Sequence, residues 1–146
     1  MTDEDPRLTG MRAFLRKMPF CEALGLRLVR AGDGEAELEM PWSADLVGDP
    51  ATGVIHGGAV SALMDTCGGT AVMLHPGAGA ATATLDLRID YMRPATPGQT
   101  IRARATCHHV TRHVAFVRAV ALDDDESRPV ATAAGAFTVV REEEGR

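Results

Sequence analysis

Asp65 stands in the middle of the longest weakly polar stretch of this 146-residue chain, Gly57–Leu74. Eight residues before it comes a glycine, in the run Gly53-Val54-Ile55-His56-Gly57-Gly58. A carboxylate in such a place can take a proton from water or attack a carbonyl carbon itself. A glycine pair that opens a helix presents bare backbone N–H groups at the positive end of the helix dipole. Those groups can bind a phosphate or polarise a carbonyl oxygen, and they can equally form a glycine cap with no ligand. His56 could orient the loop or touch a ligand, and a satisfied structural histidine is the commoner case.

Placed on a wheel at about 100° per residue, Gly57–Leu74 gathers Val60, Leu63, Cys67, Thr70, Ala71 and Leu74 on one side as the core face. Asp65 points almost the opposite way, flanked by Ser61, Ala62, Gly68, Gly69 and Val72. Two adjacent glycines inside a helix cost roughly 1 kcal/mol each relative to alanine. That cost makes sense if a ligand or another backbone approaches Gly68 and Gly69 closely beside Asp65. Eight residues of helix separate Gly57 from Asp65 by about 12 Å along the axis. Catalytic contacts need about 3 Å, so the two cannot serve one small reacting centre within a chain. If they act together, Gly57 of one subunit meets Asp65 of another, which predicts a dimer with two composite sites.

Other chemistry is weaker. His108 and His109 face opposite ways on a strand and His113 lies beyond the Thr111-Arg112 turn, so no metal is expected. Cys21, Cys67 and Cys107 are far apart and form no C-x-x-C pair. Cys67 is near Asp65 in sequence, but the wheel turns it into the core. Neither a G-x-S-x-G nor a P-loop occurs. Lys plus Arg total 15 against 20 Asp plus Glu, a net charge of −5, which argues against a nucleic-acid partner. The acidic start MTDEDPRLTG holds no apolar leader, and Gly57–Leu74 is too short and small-sided for a membrane span. A cytoplasmic protein with no membrane partner is expected. At 45% hydrophobic but only 4% aromatic, its core is built from aliphatic residues and alanine.

The elements that must position these residues follow from periodicity. One domain, 1–146, is expected, with an N-terminal capping helix within residues 1–20. Its stripe is Leu8, Met11, Leu15 and Met18, and Pro19 stops it. Leu24–Val29 and Glu35–Met40 alternate around a Gly32–Gly34 turn and form a hairpin whose face of Glu35, Glu37 and Glu39 is wet. Pro41–Ile55 reads as a loop. After the helix, Thr82–Met92 puts Ala83, Leu85, Leu87, Ile89 and Tyr91 on one face and Thr82, Thr84, Asp86, Arg88, Asp90 and Met92 on the other. Thr100–Val110, His113–Leu122 and Val130–Val140 are further strands, and Asp123–Glu126 is a solvated turn. The last two strands are apolar or small on both faces, so another subunit should supply part of their cover. The class is α+β: a curved antiparallel β-sheet wrapped around one long central α-helix.

His56-Gly57-Gly58, Asp65 and the run Leu85-Asp86-Leu87-Arg88-Ile89-Asp90-Tyr91-Met92-Arg93-Pro94-Ala95 together resemble the hotdog-fold acyl-CoA thioesterases, most of all the PaaI-type branch of phenylacetic acid degradation. The likeness covers about Leu24–Val140. It implies hydrolysis of an acyl-CoA substrate, aryl-acetyl or medium-chain, by a homodimer or a dimer of dimers, a homotetramer, with no cofactor. By this likeness the Gly57 N–H, with Gly58 beside it, would hold the thioester carbonyl. Asp65 of the facing subunit would act as general base or nucleophile, and Thr84 would orient the water or the carboxylate. Arg93 is among the arginines that could meet CoA phosphates, with Arg88, Arg102, Arg104, Arg112 and Arg118. One position departs from the pattern: the family Asn three residues before Gly53 is Pro50 here, which offers neither amide nor N–H. Asp49 beside it could take over. The departure favours an alternative, a non-catalytic or weakly active acyl-CoA-binding hotdog protein. A hotdog hydratase pairing His56 with a carboxylate ranks last.

Overall fold

The Asp33-Gly34 turn sets the first hairpin. Asp33 (φ 53°) and Gly34 (φ 84°) both take left-handed conformations, the type I′ geometry whose twist matches that of the paired strands. The structure, a computed structural model, describes residues 6–79 and 81–141. The first five residues of the expected capping segment lie outside them. In chain order the elements are α1 (Pro6–Arg16), α2 (Pro19–Leu24), β1 (Arg27–Gly32), β2 (Glu35–Met40), β3 (Val47–Asp49), β4 (Val54–Ile55), α3 (Gly57–Met73), β5 (Thr84–Tyr91), β6 (Ile101–Val110), β7 (Val114–Leu122) and β8 (Ala131–Thr138).

Six strands form one antiparallel sheet in the order β1-β2-β6-β7-β8-β5. Helix α3 packs against β2, β6 and β7. Its Val60, Leu63, Cys67, Thr70 and Ala71 are buried, as the wheel gives, but Gly68 and Val72, read on the Asp65 side, are buried as well. This is the α+β hotdog arrangement expected from the resemblance. Gly68 lets the helix come close: a Cβ at that position would lie 2.9 Å from Phe137 Cζ on β8.

Several local expectations need correction. Pro19 does not end the first helix: α1 closes at Arg16, Met18 is the N-cap of α2, and Pro19 is that second helix's first residue, a position where its missing N–H costs nothing. Leu24 therefore closes a helix, capped by Gly25 at φ 70°, and the strand begins only at Arg27. Pro41–Ile55 is not all loop; a 3-10 turn (Ala44–Leu46) and the small β3–β4 hairpin lie within it. Glu37 is not wet. It is only 7% exposed, because Arg30 from β1 and Arg104 from β6 close over its carboxylate at 3.4 and 3.3 Å. Asp123, expected in a solvated turn, is fully buried.

Candidate active site

Asp65 lies half-buried on α3, and its Oδ1 accepts a hydrogen bond from the Thr84 hydroxyl at 2.5 Å. Thr84 reaches it through a defect in strand pairing. Tyr91 pairs with Ala131, Ile89 with Ala133 and Leu87 with Gly135, but Thr84 pairs with Phe137, leaving one residue extra between Thr84 and Asp86. A bulge of this kind re-aims the side chains beyond it. Strict alternation separates Thr84 from Tyr91; the bulge returns Thr84 to the face of Phe137 and Tyr91, towards α3. The expected parity of β5 is thus wrong for Thr84, while its contact with the aspartate is real.

Tyr91 reaches the other end of α3 from the same face. Its hydroxyl donates to Gly57 O at 2.9 Å. Its ring sits so close to Gly57 that a Cβ there would lie 3.5 Å from Tyr91 Cε1. His56 is the N-cap: its Nδ1 accepts from Gly58 N–H at 2.7 Å, and its carbonyl takes the N–H groups of Ala59 and Val60. That accounts for the first turn except Gly57, whose N–H has no acceptor among the described residues. So one end of α3 carries a free donor and the middle carries a carboxylate held by a single hydroxyl, with about 12 Å of helix between them.

Beside Asp65 a cavity of about 220 Å³ opens between α3, α1 and the start of β5. α3 lines it with Asp65, Gly69 and Met73 and with Thr66 and Thr70, α1 and the turn after it with Phe14 and Met18, and the approach to β5 with Thr82 and Thr84. A larger cavity of about 530 Å³ lies over β1, β2 and β6, lined by groups such as Arg30, Glu35 and Arg104, and includes no residue of α3.

Known proteins match this arrangement. The family model for the thioesterase superfamily matches residues 52–130, more than half of the chain. A mutant structure of the phenylacetic acid degradation protein PaaI from Thermus thermophilus is 32% identical, with TM-score 0.72, over 84% of this chain and 100% of that one. The chain belongs to the thioesterase superfamily, in its PaaI-type branch. It is 29% identical, over 86% of its own length and 88% of the relative's, to the medium/long-chain acyl-CoA thioesterase YigI of Escherichia coli. The Escherichia coli PaaI protein, 22% identical, shares its fold with TM-score 0.81 over 92% of this chain and 93% of that one. The protein is a thioester hydrolase.

Within this thioesterase the residues singled out from sequence divide into those near the carboxylate or the free N–H and those engaged elsewhere. Asp65, Thr84 and Gly69 stand together, and Gly57, Gly58 and His56 form the helix start. Gly68 is not beside a ligand space; it faces the Phe137 ring. Arg93 is committed to the fold. Its two terminal nitrogens grip Asp123 at 2.7 and 2.6 Å, and its Nε and Nη2 donate to Arg128 O. That pairing holds Arg93 charged and holds the Asp123 carboxyl well below the usual carboxylate range, despite its burial. Asp49 is braced within its own loop, accepting from Ala51 N–H at 3.0 Å and from the Thr52 hydroxyl at 2.8 Å. The next loop glycine, Gly53, is tied down by Trp42, whose indole N–H donates to its carbonyl at 2.9 Å. Cys67 is buried with its Sγ 3.4 Å from the carbonyl oxygens of Ala36 and Ala103. Burial pushes its thiol up to about 12, which leaves almost no thiolate to act as a nucleophile.

Sequence reasoning did not single out Tyr91 as a site residue. The signal was present: an aromatic hydroxyl at the end of a strand otherwise filled with aliphatics, just before the Arg-Pro-Ala turn. Among the described residues no helix is long and apolar enough to cross a membrane.

Proposed function

We propose that this thioesterase hydrolyses acyl-CoA thioesters in sites shared between two copies of the chain. The Gly57 N–H of one subunit polarises the carbonyl, and Asp65 of the other drives the attack of water. The observation that carries this reading is the Asp65–Thr84 pair in a cavity with no other charged side chain in its lining, about 12 Å of helix away from an unsatisfied N–H. The water proton passes to Asp65 as oxygen adds to the thioester carbon, and negative charge on the carbonyl oxygen is met by the Gly57 N–H. Collapse then breaks the C–S bond, and the CoA sulfur leaves with a proton. If Asp65 attacks directly, the same groups form and hydrolyse an acyl-aspartate instead.

A second copy along β5 supplies the missing proximity. β5 is an edge of the sheet, and its flank exposes Leu85 (58%), Tyr91 (53%) and Met92 (60%). An unpaired edge of eight residues, with these apolar side chains set among the exposed Asp86, Arg88 and Asp90, offers its free backbone groups to another strand. Asp65 and Gly57 both touch side chains of β5, so the seam would run beside both. An apolar cavity of about 150 Å³ admits benzene, so the 220 Å³ here suits an aryl-acetyl or medium-chain acyl group. The small Gly69 and the Gly58 turn complete the substrate contacts in this reading; the location is cytoplasmic, and a dimer of dimers is the expected assembly.

Thiol release measured with DTNB against phenylacetyl-, hydroxyphenylacetyl-, hexanoyl- and palmitoyl-CoA tests it. The Asp65→Asn variant should fold, bind acyl-CoA and lose about 10²- to 10⁴-fold in kcat, the usual worth of a general base. Near-normal turnover by that variant would remove Asp65 from the mechanism. Binding without any release, in wild type, would turn attention to Pro50 and the non-catalytic alternative.

A further inference from the structure

The cavity beside Asp65 has an uneven lining. Asp65, Gly69 and Met73 follow one another at spacings of four along α3, so they form a single stripe about 12 Å long. Across from them stand Phe14 and Met18, again four residues apart, at the end of α1 and the turn after it, with Thr84 at the reacting end. Its one charged group is Asp65 at one end, and its other end is the apolar Met73; Thr70 and Thr82 also line the cavity, but their hydroxyls are spent on the carbonyls of Thr66 and Thr138. Gly69 keeps it open in the middle: a Cβ there would find its nearest atoms at 3.7 and 3.8 Å, so the glycine is not demanded by packing as Gly68 is. α1 itself is held in place by buried Leu8 and Leu15 and by Arg12, whose guanidinium donates to Leu28 O on β1. Phe14 is not part of that anchoring and remains 47% exposed at the cavity rim.

We infer that the acyl chain of the substrate runs from Asp65 beneath α1 towards Met73, and that Phe14, backed by Met18, is the wall that sets the longest chain accepted. This rests on the hydrolase reading of Asp65 and adds the direction of the acyl group and the residues that select it. A wall of this kind acts through sterics: a chain that ends before Phe14 gains apolar contact, and one that passes it must displace the ring. Hydrophobic pockets discriminate by about 10- to 200-fold per methylene at best.

The test is kcat/KM for straight-chain acyl-CoA from four to sixteen carbons, with wild type, Phe14→Ala, Phe14→Trp and the control Phe20→Ala. Phe20 is 63% exposed on α2 and does not line the cavity. Phe14→Ala should move the optimum to longer chains, raising the ratio of long- to short-chain kcat/KM about tenfold, and Phe14→Trp should move it the other way. Phe20→Ala should keep the wild-type profile. If wild type is active and the two Phe14 profiles superimpose on that of Phe20→Ala, the acyl chain does not lie under α1 and the inference is overturned alone. If wild type releases no thiol from any chain length or from phenylacetyl-CoA, the hydrolase reading falls and this inference falls with it; release from phenylacetyl-CoA alone overturns the inference and spares that reading. Opposite shifts from the alanine and tryptophan variants would also separate a steric wall from general loosening of α1, which moves both the same way.

Discussion

Two aspartates of this thioesterase sit in opposite conditions. Asp123 is fully buried and saturated: it accepts from both terminal nitrogens of Arg93, from the Thr96 N–H and hydroxyl, and from Asp125 N–H. Asp65 is half-buried and accepts from one hydroxyl, leaving its second oxygen with no partner among the described residues. A carboxylate with every lone pair occupied is a structural part, because its chemistry is already spent on the fold. One held by a single donor is oriented but still able to take a proton or bond to carbon. What would distinguish Asp65, if it acts as proposed, from the brace at Asp123 is therefore unused capacity rather than residue type.

The comparison is tested hardest at Asp123. Asp123→Ala leaves Arg93 and the Thr96 N–H without their acceptor in a mostly enclosed place, a loss of about 3–5 kcal/mol. For a domain of this size that lowers Tm by roughly 10–15 °C, readable by thermal denaturation, while kcat per folded molecule stays near wild type. A large fall in kcat at unchanged Tm would put Asp123 in the site and break the contrast. The pH dependence has a definite sign. Because Arg93 holds the Asp123 carboxyl below the usual range, its stabilisation is complete above the unfolded value near 4 and is lost as pH falls below it. The Tm gap between wild type and Asp123→Asn should be flat from about pH 7 to about 4 and narrow beneath that.

Next in size is Arg93→Lys. An ammonium cannot reproduce the two-pronged grip on Asp123 or the bonds to Arg128 O, so stability should drop by about 1–2 kcal/mol. KM for acyl-CoA should not move. A severalfold rise in KM with Tm intact would return Arg93 to the phosphate-binding role suggested by sequence.

The Arg93–Asp123 pair shows where the chain is readable. The central helix, its buried face and the expectation of an antiparallel sheet around it follow from local periodicity, and periodicity survives folding wherever one face is buried. The half-buried place of Asp65 off the core face is legible for the same reason, since a lone charge opposite that face needs an explanation. Asp123 misleads because its relation to Arg93 spans 30 residues and has no local signature; a run of acids looks solvated until a distant guanidinium is brought to it. Glu37 misleads in the same way, its alternation correct and its environment set by arginines on two neighbouring strands. Thr84 draws its role only from family likeness, and alternation gives it the wrong face because it cannot see the residue that a bulge adds.

The smallest expected effect bears on that bulge. Thr84→Val keeps the β-branched shape suited to a strand and removes only the hydroxyl bonded to Asp65. If that bond serves to aim the carboxylate, kcat should fall about tenfold, or about 1.4 kcal/mol in the barrier, with KM and Tm nearly unchanged, and Thr84→Ser should restore most of it. A purely structural hydroxyl predicts the reverse pattern, a shift in Tm with kcat intact. The distinction matters because one donor separates Asp65 from a fully solvated carboxylate, while a full set of donors separates it from Asp123. A kcat that responds to that single bond would place Asp65 between those limits: constrained enough to point at the thioester, and unsatisfied enough to react with it or with water.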